Sequence, residues 1–123
     1  MQAGAYIDFV PDSDALPYDV FAKMCPSRQV FEHVTGKWGA LVLGRLGSGP
    51  QRFGEIRSQV EGISDRMLTQ TLRTLCDDGL AIRAADSPAH PVYRLTEAGE
   101  NVAVAVRTLI TAVEDAMASG AGT

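Results

Sequence analysis

Ser64, Arg66, Thr69, Gln70 and Arg73 are the side chains whose types and spacing suggest chemistry first. At about 100° per residue, Arg66, Gln70 and Arg73 share one side of a helix, with Thr69 on its shoulder. An arginine fork can bond a guanine edge or a phosphate through two N–H groups, and glutamine can pair with adenine. A polar face is also what an ordinary amphipathic helix turns to water, so the surrounding chain must decide between the two. Cys25 is the second candidate. It precedes Pro26, and proline suits the first position of a helix. A thiol at a helix N-terminus, near Lys23 and Arg28, is pushed toward thiolate. The alternative is a small apolar residue that happens to be cysteine.

The stretch from Ser64 to Gly79 has both helix ends marked. Ser64 can accept an orphan backbone N–H, Asp65 suits the first turn, and Gly79 can close the end in the left-handed conformation. Leu68, Leu72 and Leu75 form its apolar stripe. Upstream, Gly54 to Val60 reads as a shorter helix with Ile56 and Val60 inward, and Gly62 separates the two. Two short helices across a tight turn make a helix-turn-helix layout, whose second helix can enter a major groove. Downstream, 80–84 and 92–95 read as strands joined by a turn over 86–91, a wing with His90 at its tip and Arg83 and Arg94 on its strands. Arg52, His90 and Arg94 are second-rank phosphate candidates.

The remaining chain supplies support. A short helical turn is expected from Tyr18 to Met24. A helix from Pro26 to about Thr35 has Val30, Phe31 and Val34 inward. Another from Lys37 to Leu46 carries Trp38, Leu41, Val42 and Leu46, and stops at Gly47-Ser48-Gly49-Pro50. Thr96 can cap a last long helix whose apolar stripe is Ala98, Val102, Ala105, Val106, Leu109, Val113 and Met117. With a core already provided, that helix is best explained as packing against a second subunit. Residues 1–24 read as an arm that is weakly ordered or packed in the dimer, 25–96 as the winged helix-turn-helix domain, and 97–123 as a dimerisation helix with a frayed tail. The fold class is α+β, mainly α.

Composition narrows the function. The chain has 123 residues, 46% of them hydrophobic, enough for one domain with a real core. Net charge is −4, which alone argues against nucleic acid. Yet residues 25–96 hold nine Lys or Arg against seven acids, a local balance of +2, while both terminal segments are acidic. Binding to DNA would therefore need a formed surface rather than bulk charge. Cys25 and Cys76 fit neither a disulfide framework nor a metal site. No run is long enough to cross a bilayer and Met1 to Val10 does not resemble a signal peptide, so the expected location is cytoplasmic. No Ser-His-Asp set, metal cluster or phosphate loop is present, and His33 and His90 have no partner legible in the sequence. Enzyme activity, cofactor and metal are not expected.

The local words Cys25-Pro26, Gly36-Lys37-Trp38, Gly49-Pro50, Arg52-Phe53-Gly54-Glu55-Ile56, Gly62-Ile63-Ser64, Met67 to Leu72, Asp78-Gly79-Leu80 and Tyr93 to Gly99 occur in a telling order. Over roughly residues 25–100 the chain resembles the HxlR-type family of winged helix-turn-helix transcriptional regulators, relatives of the MarR group. The resemblance implies a homodimer on a palindromic double-stranded DNA operator, with one helix in each of two major grooves. Family members with a cysteine placed like Cys25 respond to oxidants or electrophiles, which implies redox sensing there. The wing departs from the family pattern: Pro91 stands at the usual Val position and Val92 at the usual Glu. Two other readings remain open. One is a small-molecule-responsive regulator with an effector pocket at the dimer interface lined by Tyr18, Phe21, Phe31 and Trp38. The other is a winged-helix protein-interaction module without specific DNA binding.

Overall fold

The computed structural model describes residues 18–84 and 89–120. The chain divides into two compact units, Met1–Glu32 and His33–Thr123. In the first, residues 19–25 form hydrogen-bonded turns where a short helical turn was expected: Ala22 N–H donates to the Asp19 carbonyl and Cys25 N–H to that of Ala22. Helix α1 (Pro26–Thr35) starts at the expected proline. Val34 is buried but Phe31 is exposed, so Phe31 is not the inward residue the sequence suggested. Its position lies about 100° around the helix from Val30, which is partly covered.

The second unit continues with α2 (Lys37–Leu46), β1 (Gln51–Arg52), α3 (Phe53–Gln59), α4 (Asp65–Asp77), β2 (Ala81–Ala84), β3 (Val92–Leu95) and α5 (Glu97–Ala118). Among the described residues, five helices and a small antiparallel sheet give the mainly helical winged helix-turn-helix fold that the sequence predicts. The sheet order is β1-β3-β2, with Gln51 opposite Tyr93, and Ala81 opposite Leu95. Thus β1 completes the sheet along the edge of β3.

Three α4 leucines, Leu68, Leu72 and Leu75, are buried in a core that also holds Val42, Leu43 and Leu46 of α2, Ile56 of α3, Leu80, and Leu95 of β3, and α4 packs on α2 and β2. In α2 the buried residue next to Val42 is Leu43, whereas Leu41 is exposed. The inward stripe is therefore 39, 42, 43 and 46: Val42 and Leu46 are buried as expected, while Gly39 and Leu43 take the places expected for Trp38 and Leu41. Burying large aliphatic side chains this completely contributes roughly 1.5–3 kcal/mol each.

Both long outer helices start on a hydroxyl. Ser64 Oγ accepts the Met67 N–H at 3.0 Å, and Thr96 Oγ1 accepts the Gly99 N–H at 3.0 Å. The end of α4 is equally defined. Gly79 takes φ of +79°, and Leu80 N–H reaches the Leu75 carbonyl while Gly79 N–H reaches that of Cys76. These two bonds satisfy carbonyls that a helix end leaves orphaned. Helix α5 lays Gly99, Ala103 and Val106 on the core and packs along α2. The same helix leaves Leu109, Val113 and Met117 exposed by 60%, 54% and 59%. Part of the expected stripe thus folds back on its own unit and part faces outward. No described helix is long and apolar enough to cross a membrane.

Candidate nucleic-acid interface

The helix-turn-helix consists of α3, the turn 60–64 and α4. The buried side chains Val60, Ile63 and Leu68 anchor the turn in the core, which fixes which side of α4 looks outward. Arg66, Thr69, Gln70 and Arg73 are all exposed there and line one shallow surface, together with Asp65, Thr74 and Asp77. Four of the five first-rank candidates are therefore brought together. Ser64 stands at the head of the helix, its hydroxyl occupied as the cap.

Among the described residues, neither Arg66 nor Arg73 pairs with a carboxylate, so both guanidinium groups keep their donors for an incoming partner. Asp65 would oppose a polyanion at this surface. Its charge is answered by Arg57 of α3, whose Nη1 lies 3.0 Å from Asp65 Oδ1. The first-turn position also favours an acid, because the helix N-terminus carries partial positive charge. Arg57 escaped the sequence reading because its partner lies eight residues away, across a turn whose geometry the spacing does not reveal.

The second-rank candidates lie on the flanking elements. Arg52 caps α3: its backbone N–H donates to Glu55 Oε1 at 2.7 Å, leaving its side chain exposed. Arg94 is exposed on β3, opposite Ile82 of β2, and His90 is exposed before β3. Part of the expected wing turn, residues 85–88, lies outside the described residues, as does most of the N-terminal arm.

Cys25 is partly buried at the head of α1. The Ser27 hydroxyl donates to its Sγ at 3.3 Å and the Asp19 backbone N–H at 3.2 Å. The Ser27 hydroxyl is the main reason its thiol is held below the ordinary value, with the backbone N–H groups of Asp19 and Ser27 adding to it. The helix N-terminus named from the sequence contributes through the Ser27 N–H, whereas Lys23 and Arg28 do not, Arg28 pairing instead with Glu32 at 2.9 Å. Cys76 behaves oppositely: burial, and then the Asp77 charge, push its thiol up. Tyr18, Phe21 and Phe31 are exposed. Trp38 is partly covered, with the Lys37 ammonium 4.5 Å from its ring centre and its ring edge close to Gly62. A separate cavity of about 390 Å³ lies between α2, the end of α3 and α5, with Leu41, Arg45, Arg107 and Ile110 in its wall. His33 also has a partner that the sequence did not show: its Nδ1 lies 2.7 Å from Asp78 Oδ2. No cluster of metal-ligating side chains occurs among the described residues.

A capped helix with an outward polar face, packed on α2 and flanked by a small antiparallel sheet, defines a winged helix-turn-helix protein. Relatives narrow the class. The family profile described as "HxlR-like helix-turn-helix" matches residues 33–120, and the chain belongs to that family. It is 42% identical over 98 residues to YtfH of Escherichia coli (strain K12), an HTH-type transcriptional regulator, covering 78% of each chain. The solved structure of ytfH from Salmonella typhimurium, a candidate transcriptional regulator, superposes with a TM-score of 0.77 at 36% identity, over 85% of this chain and 96% of that one. Quinone-bound YodB from B. subtilis is similar at a TM-score of 0.61 and 30% identity, over 74% of this chain and 98% of that one. The protein is a transcriptional regulator of the HxlR type.

Proposed function

We propose that this regulator binds a palindromic DNA operator as a homodimer, with α4 in the major groove of each half-site. The observation that carries the reading is the outward face of α4, where Arg66 and Arg73 keep unpaired guanidinium groups beside Thr69 and Gln70. Base edges in the major groove ask for such donors and acceptors. Arg52, Arg94 and His90 serve the phosphates on either side, and Ser64 adds contacts at the helix head. The exposed Leu109, Val113 and Met117 of α5 supply the dimer surface, and two-fold symmetry then sets a palindromic site. Cys25 responds to oxidants or electrophiles. Its lowered thiol supports this role, and a solved relative carries a bound quinone.

Selection of bound sequences from a random DNA pool tests the whole reading. Wild type and Cys25→Ser are compared with and without a thiol oxidant. The expected outcome is an enriched palindrome for both proteins, with release by oxidant in the wild type alone. Failure to enrich any sequence at low salt would shift the reading to a protein-interaction module. Control by a small effector is the second reading, favoured by the 390 Å³ cavity beside α5 and by aromatic residues at Tyr18, Phe21, Phe31 and Trp38. Trp38 fluorescence, followed while small aromatic acids are titrated in, checks it.

A further inference from the structure

A helix reads a groove only if it is held at a defined angle, and the two ends of α4 are held by different means. The head relies on exposed contacts, the Ser64 cap and the Arg57–Asp65 pair. The far end is tied down by residues distant in sequence. Thr96 Oγ1 donates to the Gly79 carbonyl at 2.7 Å. From the other side, His33 in the last turn of α1 meets Asp78, the residue that caps α4.

This contact is costly to leave unmade. Asp78 follows the last turn of α4, where the helix dipole places its negative end. Its side chain is only 11% exposed, and that of His33 33%. A nearly covered carboxylate needs a donor, and among the described residues the His33 imidazole is the side chain that bonds it. The imidazole Nδ1–H can donate to this carboxylate. The position of His33 is itself fixed by backbone contact. A Cβ at Gly39 of α2 would overlap the His33 carbonyl, so the α1–α2 corner closes tightly around it. Asp77 of α4 lies next to Asp78, on the exposed groove-facing surface with Arg73, so a tilt at this end moves the Arg73 side of the helix.

We infer that His33 and Asp78 form a positioning pair that seats the recognition helix, so that His33 sets operator affinity without touching DNA. This rests on α4 being the DNA-reading helix, and the test separates the two. Operator affinity and thermal midpoint are measured for wild type, His33→Asn, His33→Gln, Asp78→Ala and the His33→Gln/Asp78→Ala double variant. Asn places an amide N–H where Nδ1 lies, whereas Gln carries the same group one bond too far. The expected result is near-wild-type affinity for His33→Asn and affinity on the order of tenfold weaker for His33→Gln and Asp78→Ala, with the double variant no weaker than either single change. These assays run well below each variant's midpoint, so lost stability alone does not move them. Affinities within twofold of wild type for both His33→Gln and Asp78→Ala would overturn the pair while leaving α4 as the reader. Wild type that binds no DNA would overturn both.

Discussion

Helices α4 and α5 are built alike on their inner sides and differently on their outer sides. Each starts on a hydroxyl cap, Ser64 or Thr96, and each lays one stripe on the same core. Outside, α4 shows Arg66, Thr69, Gln70 and Arg73, whereas α5 shows Val104, Leu109, Val113 and Met117. Water satisfies the first surface, and its guanidinium groups can also bond an anion. The second is poorly served by water and gains from a partner that excludes it. The contrast teaches that burial assigns the inner faces and that function is written on the faces left over.

The largest expected effect separates inside from outside. Leu72→Ala in α4 removes a buried side chain and should cost about 2–5 kcal/mol of stability in denaturant unfolding. Leu109→Asp in α5 should instead leave the protomer folded and shift sedimentation from dimer to monomer. A dimer that persists in Leu109→Asp would remove that face from the proposed subunit contact.

The two outer surfaces can then be set against each other. Arg73→Ala or Arg66→Ala should each cost about 1–3 kcal/mol of operator binding if the residue reads a base. Arg107→Ala on α5 should leave that affinity in place when measured at a protein concentration that keeps the dimer. Equal losses from all three would mean that general charge, not a reading face, carries the affinity.

A smaller effect compares the caps. Ser64→Ala should destabilise by roughly 0.5–2 kcal/mol, the usual cost of losing an N-cap. Thr96→Ala should cost more, because the same hydroxyl also bonds the Gly79 carbonyl. Matching thermal shifts for the two variants would show that the second bond adds nothing.

The subtlest contrast is between the cysteines, and the sign follows from the thiolate being the nucleophile. Cys25 is held low by its Ser27 hydrogen bond and Cys76 is pushed up by burial. As pH rises from acid, Cys25 should begin to react with iodoacetamide first and Cys76 later. Mass spectrometry of both peptides across a pH series measures the order. A reversed order would take away the chemical support for Cys25 as the sensor.

The sequence by itself determined most of the elements and which side chains α4 turns outward. The spacing of Leu68, Leu72 and Leu75 sets which side of α4 turns inward, and so which residues turn out. Ser64 and Gly79 mark the helix ends through local hydrogen bonding that depends only on neighbours. The helix-turn-helix words were legible for the same reason, since periodicity and capping are short-range physics. Tertiary structure decided what depends on distant pairs. The choice of Leu43 over Leu41 for the core, the edge strand β1 beside β3, and the split of α5 into a buried and an exposed face follow from how neighbouring elements meet. The same holds for Arg57 against Asp65 and His33 against Asp78. Such pairs have no periodic signature, because the residues approach only after the chain has folded, and it is packing that places the donor beside the acid.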